Sequence, residues 1–525
     1  MSCEKIFHPE DPSLAAIDSY EELSEATEGV YGRLLDVVDP EADYGMGRLY
    51  LPNYKGDDIT RVSGGYGSYY QESTCTLEDN MMDPFENDYL LRTPYLWDNL
   101  YLVLISANNI LTQFPKPNAE PEDYRYLLGE IYLIRAYTHF RLTRTFGRIP
   151  LIMDTEVKYN TPLYTYDEIY TQIMEDLEQA AELLPPRASE SRIPYVTPHR
   201  GSARAIMAEV CMAWAGYPAL KNEKYEEAAR IAGNLIDSAG YYDIGLLPDF
   251  KHVWNRDPIG NTEVLFSLSF TEPGFLLESE KLNPYGTGYL ENRWNTYYIQ
   301  PDSLGPVTDF FSCEINFFNN FPNSYRKDLT FVTRIYVPDS FYTGSIDTGY
   351  IQIDHWNSCG RPYYRKFIQD PIVVSAEELD RWWLDDMKII FGTPRIYLFR
   401  YAHTLLTFAE AKARMGEPDA LAYEAVNRIR RRANKADPNT PSSYDLATGL
   451  SPEAFADSVV WERAWELAGE PEGRWFDLLR LDQVRNLPGL RHEYEGDLPK
   501  YPVTEEDYFF AIPEYEQILN PNLAQ

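Results

Sequence analysis

The chain has 525 residues, a formal net charge of −35 and an isoelectric point near 4.6, and a field of that sign excludes nucleic acid and anionic membrane surfaces as partners. Hydrophobic residues at 44% suffice for a sizeable core, and the length favours two lobes or one large helical domain with insertions. Aromatic side chains are plentiful (Tyr 42, Phe 24, Trp 10), and Tyr and Trp give flat apolar faces with a polar tip; most are read as core.

Residues 1–12 read as a polar tether. Cys3, after Ser2 and before the acidic Glu4, resembles the lipidated first residue of a mature bacterial lipoprotein whose signal peptide has been removed. Residues 13–38 are expected to form a helix with Leu14, Ile17, Leu23, Val30 and Leu34 inward. Residues 39–91, rich in Gly, Asp, Asn and Tyr, read as an elaborated loop. Helices follow at 97–114, 121–146 and 165–184. The last carries an apolar stripe of Ile169, Ile173, Leu177, Ala180, Ala181 and Leu184 and stops at Pro185-Pro186. Two more run over 198–216 and 223–239, the second built on Ala228, Ala229, Ala232 and Ile236. Small residues between paired helices point to tetratricopeptide-type hairpins rather than a strict solenoid.

The pattern changes over 240–393. Short alternating stretches at 263–268 and 334–337 read as strands, set among Gly, Pro, Asn and many aromatics. Such a span is too aromatic for a disordered linker and is read as an inserted, loop-built subdomain. Helical pattern resumes at 394–416 and is clearest at 419–434, where Ala422, Ala425, Val426, Ile429 and Ala433 share one face. Helices at 451–468 and 474–485 precede an extended tail. No stretch reaches the roughly 18 apolar residues that a membrane span requires.

Catalytic motifs are missing: there is no GxSxG, HExxH, Walker or dinucleotide fingerprint, and the histidines stand singly. His403 reads as a packing residue. Cys75, Cys211, Cys313 and Cys359 form no CxxC pair and no metal cluster, and a disulfide among them stays open. No cofactor and no metal site is expected.

An ordered set of segments resembles the SusD/RagB family over nearly the whole chain. It runs from Leu96-Trp97-Asp98-Asn99-Leu100-Tyr101, through Gly129-Glu130-Ile131-Tyr132-Leu133-Ile134-Arg135-Ala136 and Phe146-Gly147-Arg148-Ile149-Pro150, to Arg400-Tyr401-Ala402. It continues with Glu462-Arg463, Glu466-Leu467, Gly473-Arg474-Trp475-Phe476-Asp477-Leu478 and Asn520-Pro521-Asn522-Leu523. Ala468-Gly469-Glu470-Pro471-Glu472 lengthens the family's usual stretch. The resemblance implies a mainly α fold: a tetratricopeptide-like helix-hairpin scaffold (13–239 and 394–525) with an inserted loop-rich, minor-β binding subdomain (240–393). It also implies a non-catalytic, lipid-anchored protein on the outer surface of a Bacteroidetes-type cell. Such a protein captures a glycan for a SusC-like TonB-dependent transporter and touches the membrane only through its anchor. Glu130, Arg135, Arg463, Glu466 and Asp477 are then capping and ion-pair residues of the scaffold. Peptide capture, a helical glycoside hydrolase and a tetratricopeptide adaptor are the alternative readings.

Saccharides stack on flat aromatic faces and hydrogen-bond to Asn, Asp and Arg, so exposed aromatics beside polar groups on loops are the signal to look for. Residues 285–298 have it, with Trp294 as main platform, Tyr289 and Tyr298 flanking, and Asn292 and Arg293 as hydrogen-bonding partners. The early loop offers Tyr66, Tyr69 and Tyr70. Trp97, close behind at an expected helix start, is read either as core or as a further ligand face. Trp356, Trp382 and Trp383 are weaker candidates.

Overall fold

The computed structural model describes residues 16–38, 52–53, 55–61, 92–155, 160–254, 260–269, 311–332, 334–338, 350–354, 362–364, 366, 395–492 and 503–524. Within them, Ser19 sets the start of the first helix. The Ser19 Oγ accepts from Glu22 N at 3.2 Å, and the Glu22 carboxylate accepts from the Asp18 and Ser19 amides at 2.7 and 3.1 Å. Helix α1 therefore spans Tyr20–Val38, later than the expected start at 13, with Leu23, Val30 and Leu34 buried.

The next helices are α2 (Arg92–Leu111), α3 (Glu122–Phe146), α4 (Tyr166–Leu183), α5 (Arg200–Ala215) and α6 (Lys224–Asp237). Thr165 caps α4 in a reciprocal box with Glu168, and every residue of its predicted stripe is buried. In α3, buried side chains cover the whole circumference from Leu127 to Phe146, which marks it as the central helix. Each helix from α1 to α6 packs on the next in sequence. Gly129 makes the α3–α4 approach possible, since a Cβ there would lie 2.9 Å from the Leu184 side chain.

Four helices near the C-terminus complete the scaffold: α7 (Tyr401–Arg414), α8 (Ala420–Ala433), α9 (Pro452–Glu466) and α10 (Arg474–Arg480). Helix α7 packs on α6, so the stack continues across the intervening chain, and α7 then contacts α8 and α9. The tail is more structured than expected, with short helical segments at Glu505–Tyr508, Glu514–Leu519 and Pro521–Leu523. Phe510 N donates to Thr145 O at 2.9 Å and Asn520 Nδ2 to Thr161 O at 2.8 Å, which ties the tail to the N-terminal helices.

Eight strands form four antiparallel pairs among the described residues. Their ranges are β1 (Ile59–Arg61), β2 (Val264–Ser269), β3 (Phe311–Cys313), β4 (Phe331–Val332), β5 (Arg334–Pro338), β6 (Tyr350–Asp354), β7 (Tyr363–Tyr364) and β8 (Arg395–Arg400). The pairs are β1–β3, β2–β8, β4–β7 and β5–β6. Strand β8 corrects the expectation of one helix over 394–416: Arg395–Arg400 is fully buried strand that passes directly into α7. A run buried on both faces has no alternation to betray it, and its partner β2 is remote in sequence.

Candidate functional site

Two of the strand pairs stand where the chain leaves for, and returns from, the aromatic-rich stretches of the sequence. In β1–β3, Arg61 lies opposite Phe311; in β2–β8, Ser269 lies opposite Arg395. The chain leaves β1 at Arg61 toward Tyr66, Tyr69 and Tyr70. It leaves β2 at Ser269 toward Tyr289, Asn292, Arg293, Trp294 and Tyr298 and re-enters at Phe311. The end of the first aromatic stretch's root is thus the neighbour of the second stretch's point of return. The eight loop candidates, together with Trp356, Trp382, Trp383 and Cys3, lie outside the described residues.

Trp97 is described, and it is core. It is 3% exposed, with Tyr101 at 4.7 Å between ring centroids and Phe146 edge-on at 5.0 Å. This corrects the ligand-face reading. Helix α2 starts at Arg92, so Trp97 sits in its second turn on the face that also buries Leu100 and Leu104. Tyr95, on the other face of the first turn, is 42% exposed and is the aromatic that sequence reading passed over. Helical phase was the available signal.

The β1 root is clamped to the segment after α9. Asn53 Nδ2 donates to Glu470 O and Pro471 O, both at 3.1 Å. Arg474 Nε and Nη2 donate to the two oxygens of Asp57 at 2.6 and 2.8 Å, and Gly469 N donates to Asp58 Oδ2 at 3.0 Å. The Asp58 carbonyl accepts from Tyr364 OH at 2.7 Å and from Glu314 N at 3.0 Å. Gly469 has φ +73°, and a Cβ there would lie 2.9 Å from the Tyr364 ring. Burial and the adjacent Asp57 carboxylate push the Asp58 carboxyl up to about 7.

The β2–β8 root rests on a buried charge cluster. Arg400 donates to Glu263 at 2.6 Å, to Glu466 at 3.0 Å and to Glu470 at 2.8 Å. Arg432 bridges Glu263 and Glu466, Arg326 pairs with Glu462 and Glu466 at 2.8 and 2.9 Å, and Lys366 pairs with Glu470 at 2.8 Å. Burial alone would raise the Glu466 carboxyl, yet the guanidiniums of Arg432, Arg400 and Arg326 hold it far below the usual carboxylate range. A carboxylate so saturated with cations is a poor general acid or base.

The other charged signature residues are paired in the same way. Arg135 forks onto Asp176 at 2.6 and 2.8 Å, and Arg192 pairs with Glu130 at 3.1 Å. Arg463 and Arg480 share Asp477, and Glu472 accepts from Tyr137, Arg141 and Arg144. His139 and His199 are buried, which lowers each to about 3. His403 is also buried, its Nδ1 accepting from Arg400 N at 3.1 Å as a packing residue would. Cys211 is a free thiol pushed up to about 12 by burial. Among the described residues no cluster of His, Cys, Asp or Glu is arranged to hold a metal ion, and no helix is long and apolar enough to cross a membrane.

Residues 42–212 match a SusD-like family model described as starch-binding and associating with the outer membrane, and residues 323–525 match the model of the SusD family. SusD-like protein P38 of Formosa agariphila is 24% identical over 100% of this chain and 95% of its own. A SusD homolog from Bacteroides thetaiotaomicron superposes with a TM-score of 0.71 at 23% identity, covering 98% of each chain. Surface glycan-binding protein A from Bacteroides uniformis superposes with a TM-score of 0.67 at 18% identity, over 97% of this chain and 99% of its own.

Proposed function

The chain belongs to the SusD/RagB family, and from that premise we propose that it is a non-catalytic cell-surface protein that captures oligo- or polysaccharide and delivers it to a SusC-like TonB-dependent transporter. The observation that carries this reading is the pairing of Arg61 with Phe311, which brings one end of each aromatic-rich stretch of the sequence together on the helical scaffold. Trp294 is the main platform, flanked by Tyr289 and Tyr298, with Asn292 and Arg293 meeting the hydroxyls. Tyr66, Tyr69 and Tyr70, which follow β1 in the chain, are the second set of candidates, and Tyr95, exposed on α2, is a further candidate. The charged scaffold residues are committed to ion pairs, which favours binding over hydrolysis. A glycan-binding name is also borne by one of the similarly folded proteins.

Each stacked ring contributes on the order of 1 kcal/mol, so micromolar or weaker affinity is expected, which suits a protein that must release its ligand. Cys3 is the lipidated residue, and residues 1–12 tether the scaffold to the membrane surface. The delivery step requires a lasting interface with the barrel, of about 2,000 Å² or more.

Isothermal titration against a panel of soluble glycans and peptides tests the reading, together with an assay for released reducing ends. Glycan binding without cleavage supports it. Binding of peptides alone, or cleavage abolished by one carboxylate substitution, contradicts it. Purification from native outer membranes without a TonB-dependent transporter contradicts the delivery step.

A further inference from the structure

We propose that Asp58 is a positioning residue for the ligand-binding loops: protonated, it fastens the β1–β3 root to the scaffold, and ionised, it loosens that root. Asp58 immediately precedes β1, and its carboxyl is buried between that strand and the turn after α9. Only one of its oxygens is engaged. Oδ2 accepts from Gly469 N at 3.0 Å, while Oδ1 is buried with no hydrogen-bond partner. The space beside Oδ1 exists because residue 56 is glycine; a Cβ there would lie 2.8 Å from Oδ1 and 3.1 Å from the Asn53 carbonyl oxygen.

The charged and titratable groups facing this carboxyl come from every element packed on it. Asp57, the neighbour in sequence, opposes ionisation. Arg474 from α10 favours it; its Nε and Nη2 donate to Asp57, and its Nη1 is buried with no hydrogen-bond partner. Arg491 is directed at the carbonyls of Gly56 and Ile59. Tyr364 of β7 and the Glu314 amide after β3 occupy the Asp58 carbonyl rather than its carboxyl, and the Glu314 carboxylate accepts from Phe317 N and His492 N.

An ionised Asp58 would therefore be a half-satisfied anion beside a second anion, within the set of contacts that fastens the start of β1 to the scaffold. As a neutral acid it keeps the Gly469 contact without that penalty. The titration near 7 noted above places the change between mildly acidic and mildly alkaline conditions. Weaker fastening at higher pH would loosen the β1–β3 register at Arg61 and Phe311 and so weaken glycan binding, a consequence that rests on the glycan-binding reading; the fastening itself does not.

Hydrogen exchange of the amides in 59–61 and 311–313, corrected for intrinsic rates, separates the two. In the full chain, protection should fall by roughly tenfold between about pH 5.5 and about pH 8.5, and in Asp58→Asn, which keeps an acceptor for Gly469 N and cannot ionise, it should stay level. Glycan affinity of the wild type should weaken several-fold over the same interval, and that of Asp58→Asn should not. A level wild-type profile, or the same fall in both proteins, overturns the inference. Exchange that follows pH as expected, with no glycan bound at either pH, upholds the fastening and overturns the glycan reading instead.

Discussion

Arg400 meets Glu263 across the β2–β8 pair at 2.6 Å with both side chains closed off from water. That contact is one part of a larger convergence on the chain just after α9. The β2–β8 root reaches Glu466 and Glu470, the β1–β3 root reaches Gly469, Glu470, Pro471 and Arg474, and the central helix α3 reaches Glu472. One short turn thus holds both loop roots against the scaffold through Glu466, Gly469, Glu470 and Pro471.

Replacing one member of this cluster leaves its buried charges out of balance. Glu263→Ala takes a carboxylate from both Arg400 and Arg432, leaving them to Glu466 and Glu470, and is expected to cost about 3–5 kcal/mol. Urea unfolding followed by circular dichroism reads the loss directly. A change below about 1 kcal/mol would mean that the cluster is hydrated and does not hold the root.

Gly129 inverts the usual helix rule. Alanine in place of glycine within a helix normally stabilises by about 1 kcal/mol. Here the added Cβ would stand 2.9 Å from the Leu184 side chain and 3.0 Å from its backbone nitrogen. Gly129→Ala is therefore expected to destabilise by about 1–3 kcal/mol through the α3–α4 contact. A stabilised variant would show that the two helices have room to separate.

Trp97 and Tyr95 separate packing from binding. Trp97→Ala removes a ring packed on Tyr101 and Phe146 and is expected to cost about 3–5 kcal/mol of stability, with little change in ligand affinity while the variant remains folded. Tyr95→Ala should change stability by under about 0.5 kcal/mol and weaken glycan binding. Thermal denaturation and titration of the two variants check both halves, and an affinity loss confined to Trp97→Ala would restore the alternative reading of Trp97 as a ligand face.

Most of the helical scaffold was legible because amphipathic stripes such as Ile169–Ile173–Leu177 are local, with a period that a single helix reveals. Strand β8 was not, since Arg395–Arg400 is buried on both faces and pairs with a strand more than a hundred residues earlier. The buried ion pairs were half legible: Arg463, Glu466 and Asp477 stood out in the sequence as ion-pair residues. Glu263 and Arg432 did not, because only the fold brings them together. Trp97 stayed open between core and ligand face because the helix was expected to start at it, whereas α2 begins five residues earlier, at Arg92. For the loop aromatics, composition supplied the candidates and the register of β1 with β3 supplied their common root.

The acid limb of the stability profile should be governed by buried histidine. His139, His199 and His403 are each lowered by burial, so between their folded values and the ordinary histidine range the unfolded chain binds more protons than the folded one. Stability conferred by keeping them neutral is present above about pH 6.5 and is lost as pH falls below it. Asp58, Glu130 and Asp176 act in the opposite sense, their raised carboxyls favouring the fold at low pH. The histidine share is read against a variant: from about pH 6.5 to about pH 4.5 the wild type should lose more unfolding free energy than His139→Gln. Equal changes in the two proteins would show that His139 is charged in the folded protein.

Calorimetric titration of glycan into the wild type and Trp294→Ala, with the scaffold of each checked by circular dichroism, tests the central claim most directly. The account predicts saturable glycan binding to the wild type with a Kd in the micromolar range or weaker. It also predicts a loss of roughly fivefold or more in Trp294→Ala, as expected for removal of one stacked ring worth about 1 kcal/mol. Unchanged affinity in the variant would move the platform away from residues 289–298, and a wild type that binds no glycan would contradict the claim itself.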